Sequence, residues 1–419
     1  MYSHMIRIQG GRPLHGSVTV SGAKNAALPE LASVLLSDQP FKIRNVPEVE
    51  DIRVMLNALN GLGAETDFHD GNVEICLSGI RSCCVPPEIV RTSRASILLL
   101  GPLLARAGEA RVSLPGGCPI GDRKFNFHLE GLRRMGARIH VEDDFIVGRA
   151  PRLRGIDYTF PGVSVTGTEN LLMAACLAEG ETILRGCAQE PEIGDLIQLL
   201  QGGGADIQLQ GKDVIRVRGH ARLSGISHRV IPDRIEMGTY LIAGGFMGND
   251  VTVEGGDPEA LTSLIQLLRE AGIDVEMTSH GVRVRGTGSI RPVDIETLPF
   301  PGFPTDLQAQ MTTLMTQADG ISRIKENIFD NRFQHTVELG RMGANISVSE
   351  DTAHIAGPTA LTGCPIHATD LRASAALVLG GLIASGETVV RNADQLFRGY
   401  EKLPEKLNNL GAEIRVERE

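Results

Sequence analysis

Leu132-Arg133-Arg134-Met135-Gly136-Ala137-Arg138-Ile139-His140-Val141 is the stretch whose reading decides the fold. A helix-type run meets a glycine, and an alternating run follows at once, the pattern of a helix stopped by a left-handed residue and continued as a half-buried strand. The same stop recurs at Gly63-Ala64, Gly204-Ala205, Gly272-Ile273, Gly343-Ala344 and Gly411-Ala412. Subtracting positions gives steps of 73, 68, 68, 71 and 68 residues. Spacing that regular marks six copies of one unit.

Outward from the stop, each copy follows one plan. A capping residue opens an apolar helix, a short strand and a Pro/Glu/Asp-rich turn follow, and then an amphipathic helix runs into the glycine and its alternating strand. The first helices are expected to begin near Ser21, Thr92, Thr166 or Thr168, Asp233, Asp306 and Asp370. Bodies such as 95–105 and 373–384 are apolar nearly all round, which places them inside the fold. The second helices, such as 261–270 and 401–410, are apolar on one stripe only and should coat the outside. Buried helices within a shell of sheets and outer helices make an inside-out α/β barrel, two lobes each of three repeated α/β units. The opening strand Ile6-Arg7-Ile8 precedes the first unit and is expected to pair with the last. Lobe 1 is therefore read as residues 1–22 with 232–419, and lobe 2 as residues 23–231.

The formal net charge of −10 argues against nucleic acid or an anionic membrane as the main partner. No signal peptide is read at the start, and the longest apolar runs are too short to span a bilayer. Seven cysteines without a CxxC suit neither a disulfide framework nor a zinc site, so a reducing cytoplasm is expected. No oligomeric state is read. Walker A, Rossmann and HExxH patterns are absent in their required contexts.

Residues that break a repeat carry its chemistry. At the starts of the inner helices stand Lys24-Asn25, Arg94, Asp233-Arg234, Asp306, and Asp370 with Arg372. Helix N-termini favour anions, so a cation there needs a carboxylate or an anionic ligand as partner. A second register precedes the outer helices at Arg123, Glu190, Arg332 and Arg398. Together these suggest a cationic pocket in an acidic protein, suited to a small, highly charged anion. Asp306 is either an N-cap or a proton acceptor for a hydroxyl, and Asp370 shares that ambiguity. The loop Leu114-Pro115-Gly116-Gly117-Cys118-Pro119-Ile120-Gly121-Asp122-Arg123 carries one thiol beside positive charge, either a reactive cysteine or an inert turn. His128 follows on the next helix, as a helix-surface residue or a ligand contact. The other cysteines (76, 83, 84, 176, 187, 364) read as packing residues.

Several long motifs, in order, resemble one family. They are Ser21-Gly22-Ala23-Lys24-Asn25-Ala26-Ala27-Leu28-Pro29, Arg94-Ala95-Ser96, the Cys118 loop, Glu190-Pro191-Glu192-Ile193, Pro232-Asp233-Arg234-Ile235-Glu236, Phe303-Pro304-Thr305-Asp306, Asn331-Arg332-Phe333 and Asp370-Leu371-Arg372-Ala373-Ser374. From about residue 6 to the C-terminus the chain is similar to the UDP-N-acetylglucosamine enolpyruvyltransferases. The resemblance implies transfer of the enolpyruvyl group of phosphoenolpyruvate to the 3-hydroxyl of UDP-N-acetylglucosamine, through a tetrahedral ketal and with loss of phosphate. That is the first committed step of peptidoglycan synthesis, and it needs no metal or cofactor.

By the same resemblance, Lys24, Arg123 and Arg398 match phosphoenolpyruvate-binding cations, with Arg94 beside them. Asn25, Arg94, Ser164, Val165, Asp306 and Ile328 match positions that contact the nucleotide sugar. Asp306 matches the proposed base, and Asp370 and Arg372 match residues that support proton transfer and closure. Cys118 matches the thiol that adds to phosphoenolpyruvate, donates a proton or aids product release, and is alkylated by fosfomycin. His128, Glu190, Asp233 and Arg332 complete the candidate binding set. Four positions depart from the family pattern: Phe397, Gln395, Asn126 and Gly162 stand where an acid, a histidine, an aspartate and a lysine are usual. They bear on nucleotide affinity and the closed form rather than on the chemistry. The alternatives weighed are a 5-enolpyruvylshikimate-3-phosphate synthase-like enzyme, whose family lacks the cysteine loop, an RNA 3′-phosphate cyclase, and a non-catalytic UDP-sugar sensor.

Overall fold

The structure, a computed structural model, describes residues 3–85, 94–113, 125–143, 145–220 and 222–418, the Arg94 side chain excepted. The Leu114 to Arg123 loop, with Cys118 and Arg123, lies outside them, as does Thr92. Among the described residues, twelve α-helices of seven residues or more alternate in kind along the chain. Those that open a repeat are α1 (Lys24–Ala32), α3 (Leu100–Ala107), α5 (Val165–Leu177), α7 (Arg234–Gly244), α9 (Gln308–Met315) and α11 (Leu371–Ile383); those that close one are α2 (Glu50–Leu62), α4 (Asn126–Arg134), α6 (Pro191–Gly202), α8 (Thr262–Glu270), α10 (Gln334–Arg341) and α12 (Leu403–Asn409).

The odd-numbered helices are interior. Every residue from Leu371 to Leu382 of α11 is buried, and so is every residue of α9. Small residues make that possible: a Cβ on Gly381 would come within 2.8 Å of Ile8 Cδ1. The threonines of α9 are satisfied by backbone: Thr312 Oγ1 donates to Gln308 O (3.0 Å) and Thr313 Oγ1 to Ala376 O (3.1 Å). The even-numbered helices bury one stripe, such as Leu264, Ile265 and Leu268 of α8.

All six predicted stops have one geometry. Gly63, Gly136, Gly204, Gly272, Gly343 and Gly411 have φ between 85° and 113°. The residue after each glycine donates its N–H to a leucine carbonyl one turn back: Ala64 to Leu59, Ala137 to Leu132, Ala205 to Leu200, Ile273 to Leu268, Ala344 to Leu339 and Ala412 to Leu407. This is the left-handed helix stop that glycine adopts without steric cost.

Six four-stranded sheets complete the repeats among the described residues. In each, an edge strand runs parallel to its neighbour and the other two pairings are antiparallel. The last repeat borrows its third strand from the chain start: His4–Gln9 lies between Glu387–Arg391 and Glu413–Arg418, with Ile6 opposite Val390 and Val416. Ile226–Arg229 likewise returns to pair with Phe41–Arg44. The described residues fall into two compact units, 3–21 with 232–418 (unit 1) and 22–113 with 125–231 (unit 2). Each has its own apolar core, around α7, α9 and α11 in one and α1, α3 and α5 in the other.

Two helix starts differ from expectation. Ser164, not Thr166 or Thr168, caps α5, its hydroxyl accepting from Gly167 N. Thr168 Oγ1 is already used inside the helix, donating to Ser164 O (2.9 Å). In unit 1 a 3-10 turn, Thr305–Leu307, precedes α9, so Asp306 is not its N-cap. Among the cysteines Cys76 is exposed, on the solvent side of an alternating strand, while Cys176 and Cys187 are buried and burial pushes both thiols up to about 12.

Candidate active site

In unit 1, three elements meet at Asp306. The 3-10 turn before α9 presents its carboxylate; the turn before α10 supplies Arg332, just after Asn331 at φ 56°. The first turn of α11 supplies Arg372. Asp306 Oδ1 accepts from Arg332 Nη2 and Oδ2 from Arg372 Nη2, both at 2.8 Å. The two guanidiniums are 3% and 6% exposed in their side chains and the carboxylate 25%. The acid is thus the part of the trio that solvent, or a hydroxyl, can reach. Accepting from two guanidiniums is the work of an ionised carboxylate.

Arg372 is itself held from behind. Burial works against its charge, but Asp306, with Tyr400 and Asp233, outweighs it and raises the guanidinium pKa. Its guanidinium lies 5.4 Å from the Tyr400 ring centre, within cation–π range. Tyr400 Oη shares a hydrogen with Thr239 Oγ1 (2.8 Å) and accepts from Gln310 Nε2 (3.0 Å), which also donates to Asp306 O (3.0 Å). Asp370 caps α11: its Oδ1 accepts from the N–H groups of Arg372 (2.9 Å) and Ala373 (3.0 Å). Asp233 does the same for α7, accepting from Ile235 N and Glu236 N. Ile328 is fixed by Glu326, whose Oε1 accepts its N–H at 2.8 Å. Glu326 also accepts from Thr305 Oγ1 and Thr297 Oγ1, both at 2.9 Å, and so ties the Ile328 turn to the residue beside Asp306. Arg398 Nη1 donates to Gln395 Oε1 (3.1 Å).

In unit 2, Lys24 opens α1. Its Nζ meets Asp51 Oδ2 of α2 at 3.1 Å, with 12% and 4% of the two side chains exposed. That is the carboxylate partner a cation at a helix N-terminus requires. Asn25 follows it in the first turn of α1, Ser164 and Val165 form the start of α5, and Glu190 precedes Pro191 of α6. Glu190 Oε2 is buried without a hydrogen-bond partner. Burial first, then Glu192 and Glu190, holds the nearby Glu169 carboxyl well above its ordinary range. His128 lies neither on the helix surface nor free for a ligand: Nε2 meets Thr166 Oγ1 (3.2 Å) and Nδ1 accepts from Asn170 Nδ2 (3.0 Å). Burial pushes its pKa down to about 4.

Asp306, Arg332, Arg372, Asp370 and, through Glu326, Ile328 therefore belong to one neighbourhood of unit 1, and Lys24 with Asp51 to unit 2. Sequence reasoning missed Glu326, Tyr400, Gln310 and Thr239. Each also has a partner 21 to 161 residues away, which no local pattern reveals. Among the described residues one group of His, Cys, Asp and Glu side chains is close enough to share an ion, Glu30 with Asp195 and His228 in unit 2.

Residues 8–407 match the family described as EPSP synthase (3-phosphoshikimate 1-carboxyvinyltransferase). The UDP-N-acetylglucosamine 1-carboxyvinyltransferase of Magnetococcus marinus is 49% identical over 411 residues, 98% of either chain. That of Anaeromyxobacter sp. strain K is 50% identical over 415 residues, again 98% of either chain. Among solved structures, the enolpyruvyl transferase NikO from Streptomyces tendae superposes with a TM-score of 0.91 over the whole of both chains at 26% identity. An EPSP synthase from Acinetobacter baumannii shares the fold at a TM-score of 0.76 and 20% identity, over 99% of this chain and 100% of its own. Half the sequence is shared with the first two relatives over nearly their full length, so the chain belongs to the enolpyruvyl transferases and, within them, to the UDP-N-acetylglucosamine 1-carboxyvinyltransferase family.

Proposed function

We propose that the protein transfers the enolpyruvyl group of phosphoenolpyruvate to the 3-hydroxyl of UDP-N-acetylglucosamine and releases phosphate, the first committed step of peptidoglycan synthesis, in the cytoplasm. The observation that carries this reading is Asp306, a partly exposed carboxylate gripped on both oxygens by buried guanidiniums. Such an acid is oriented to take a proton, and the two cations favour its ionised form until it does. The family relationship supplies the substrates.

In this scheme the sugar hydroxyl gives its proton to Asp306 as its oxygen bonds to C2 of phosphoenolpyruvate. C3 takes a proton, from the Cys118 thiol in our reading, and a tetrahedral ketal results. The C2–O bond to phosphate then breaks, C3 loses a proton, and the double bond re-forms. Lys24, Arg123 and Arg398, with Arg94, are assigned to the phosphate and carboxylate charges, where they stabilise charge growing on the leaving group. Asn25, Ser164, Val165, Ile328, Glu190 and Asp233 are assigned to the nucleotide sugar and its surroundings. Arg332, Arg372 and the cap residue Asp370 hold Asp306. Ordering both substrates at one site would add the proximity term, about 7 kcal/mol or more when well oriented.

The test is phosphate release by the purified protein. Release is expected only when both substrates are present, and not with shikimate 3-phosphate as acceptor; release with the latter, or none with the former, overturns the reading. Asp306→Asn should lower kcat by about 10²–10⁴ while the nucleotide sugar still binds. Fosfomycin should add to Cys118, seen as a mass increase on the peptide that contains it, and labelling elsewhere would remove that residue from the scheme.

A further inference from the structure

Glu30 is a fully buried carboxyl of unit 2 with no place in the transferase scheme. It sits in α1 among Ala26, Ala27, Leu28, Leu31 and Ala32, all buried, and is itself 0% exposed. Apart from a proton it shares with Asp195, its carboxyl group has no hydrogen-bond partner. A buried charged group left in that state is strongly unfavourable. Two other elements bring ligand-type atoms to it. Asp195 comes from α6 and His228 from the strand Ile226–Arg229 that closes the unit. His228 Nε2 is 3.6 Å from Glu30 Oε1 and 2.9 Å from Asp195 Oδ1, and the three ligand atoms lie within 4.8 Å of one another.

We propose that Glu30, Asp195 and His228 form a binding site for one first-row divalent cation, best suited to Zn²⁺, which fastens α1 to α6 and to the strand that closes the unit. Two carboxylates and a neutral imidazole leave two negative charges, which one divalent ion cancels. The mixed nitrogen and oxygen set suits Zn²⁺ among the first-row ions. Tetrahedral ligands at ~2.0–2.1 Å from zinc stand roughly 3.3 Å from each other. The observed 2.9 and 3.6 Å bracket that spacing, so small side-chain shifts complete it. The outer contact a metal ligand normally has is present too: Asp195 Oδ2 accepts from Ile231 N at 3.0 Å, which fixes the carboxylate's orientation. The His228 side chain is 13% exposed, which gives the ion a way in and a water a place as fourth ligand.

Without an ion, burial first and then Asp195 and Glu169 hold the Glu30 carboxyl well above its ordinary range, so it keeps its proton. Loading the ion expels that proton. The site is structural and separate from the transferase scheme. It lies six residues along α1 from Lys24, about 9 Å at 1.5 Å per residue, so it steadies the helix that presents Lys24 and Asn25.

The test uses the full chain, freed of metal by chelator and titrated with Zn²⁺ and Co²⁺. One ion per chain is expected, with ligand-field bands but no thiolate charge-transfer bands for Co²⁺, and a Tm that rises with the logarithm of free Zn²⁺. Infrared spectra should show a neutral carboxyl band that vanishes on Zn²⁺ addition and is missing from Glu30→Gln. Glu30→Gln and His228→Gln should each abolish the one-to-one uptake. The proposal is overturned if the native chain takes up no ion, if both variants keep the stoichiometry, or if Co²⁺ reports thiolate ligation. Should a variant fail to fold, the native protein still decides: a neutral carboxyl band that persists in excess Zn²⁺ means the trio only shares a proton.

Discussion

Asp306 owes its place to two guanidiniums rather than to the helix it precedes. Replacing it with asparagine keeps the shape but leaves Arg332 and Arg372 buried without the carboxylate they share. Removing one partner of a fully buried pair costs about 3–5 kcal/mol, and the quarter of Asp306 that is exposed lowers the expectation to about 2–3 kcal/mol. Urea unfolding of Asp306→Asn measures it, and adding Arg372→Met should recover part of the loss, because one stranded charge goes with it. A double variant no more stable than the single one would mean the pair is not coupled. The sequence singled out Asp306, Arg332 and Arg372 by their positions in the repeat, and it left Asp306 open between cap and proton acceptor. The 3-10 turn excludes the cap, whereas Asp370, with the same ambiguity, caps α11. That choice depends on where the first helical turn begins, a matter of one or two residues that composition does not resolve.

Helix stops were more legible than helix starts, and the reason is steric. A left-handed C-terminal residue strongly selects glycine, so six stops left six visible marks, whereas a cap can be any of several short polar residues. Gly136 isolates the backbone term: a Cβ there meets nothing nearer than Arg152 O at 4.0 Å, yet φ is 101°. Gly136→Ala should therefore cost about 1 kcal/mol from the left-handed backbone alone, read as a lower urea midpoint at unchanged m-value. Acid should act on the contact between α4 and α5. His128 binds a proton near 6.5 when unfolded but only near 4 in the fold, because burial disfavours the charged ring. Its contribution is complete above pH 6.5 and is lost as pH falls toward 4, on the order of 3 kcal/mol in all. His335, burial again pushing it down to about 4, acts with the same sign on α10. Stability measured against pH should show a shallower acid loss in His128→Gln than in the native chain; parallel curves would mean the ring does not titrate on unfolding.

At the scale of the molecule, each unit closes on itself. Unit 2 does so late, when Ile226–Arg229 pairs with Phe41–Arg44, and unit 1 does so with the first strand of the chain. His4–Gln9 is hydrogen-bonded on both sides, and its Ile6 and Ile8 are fully buried, so it is an interior strand of the sheet and part of the core of unit 1. A variant lacking residues 1–11 leaves Glu387–Arg391 and Glu413–Arg418 without their shared partner and strips two isoleucines from the core, each worth about 2–5 kcal/mol when truncated in place. Several such losses exceed the whole stability of an ordinary domain. Unit 2 keeps every strand and core residue it has. Hydrogen exchange read by mass spectrometry should therefore find residues 232–418 unprotected and 22–231 still protected in that variant. Loss of protection across both would show that the two cores fold as one, and retained protection in 232–418 would show that the strand is dispensable, against its place between two ladders.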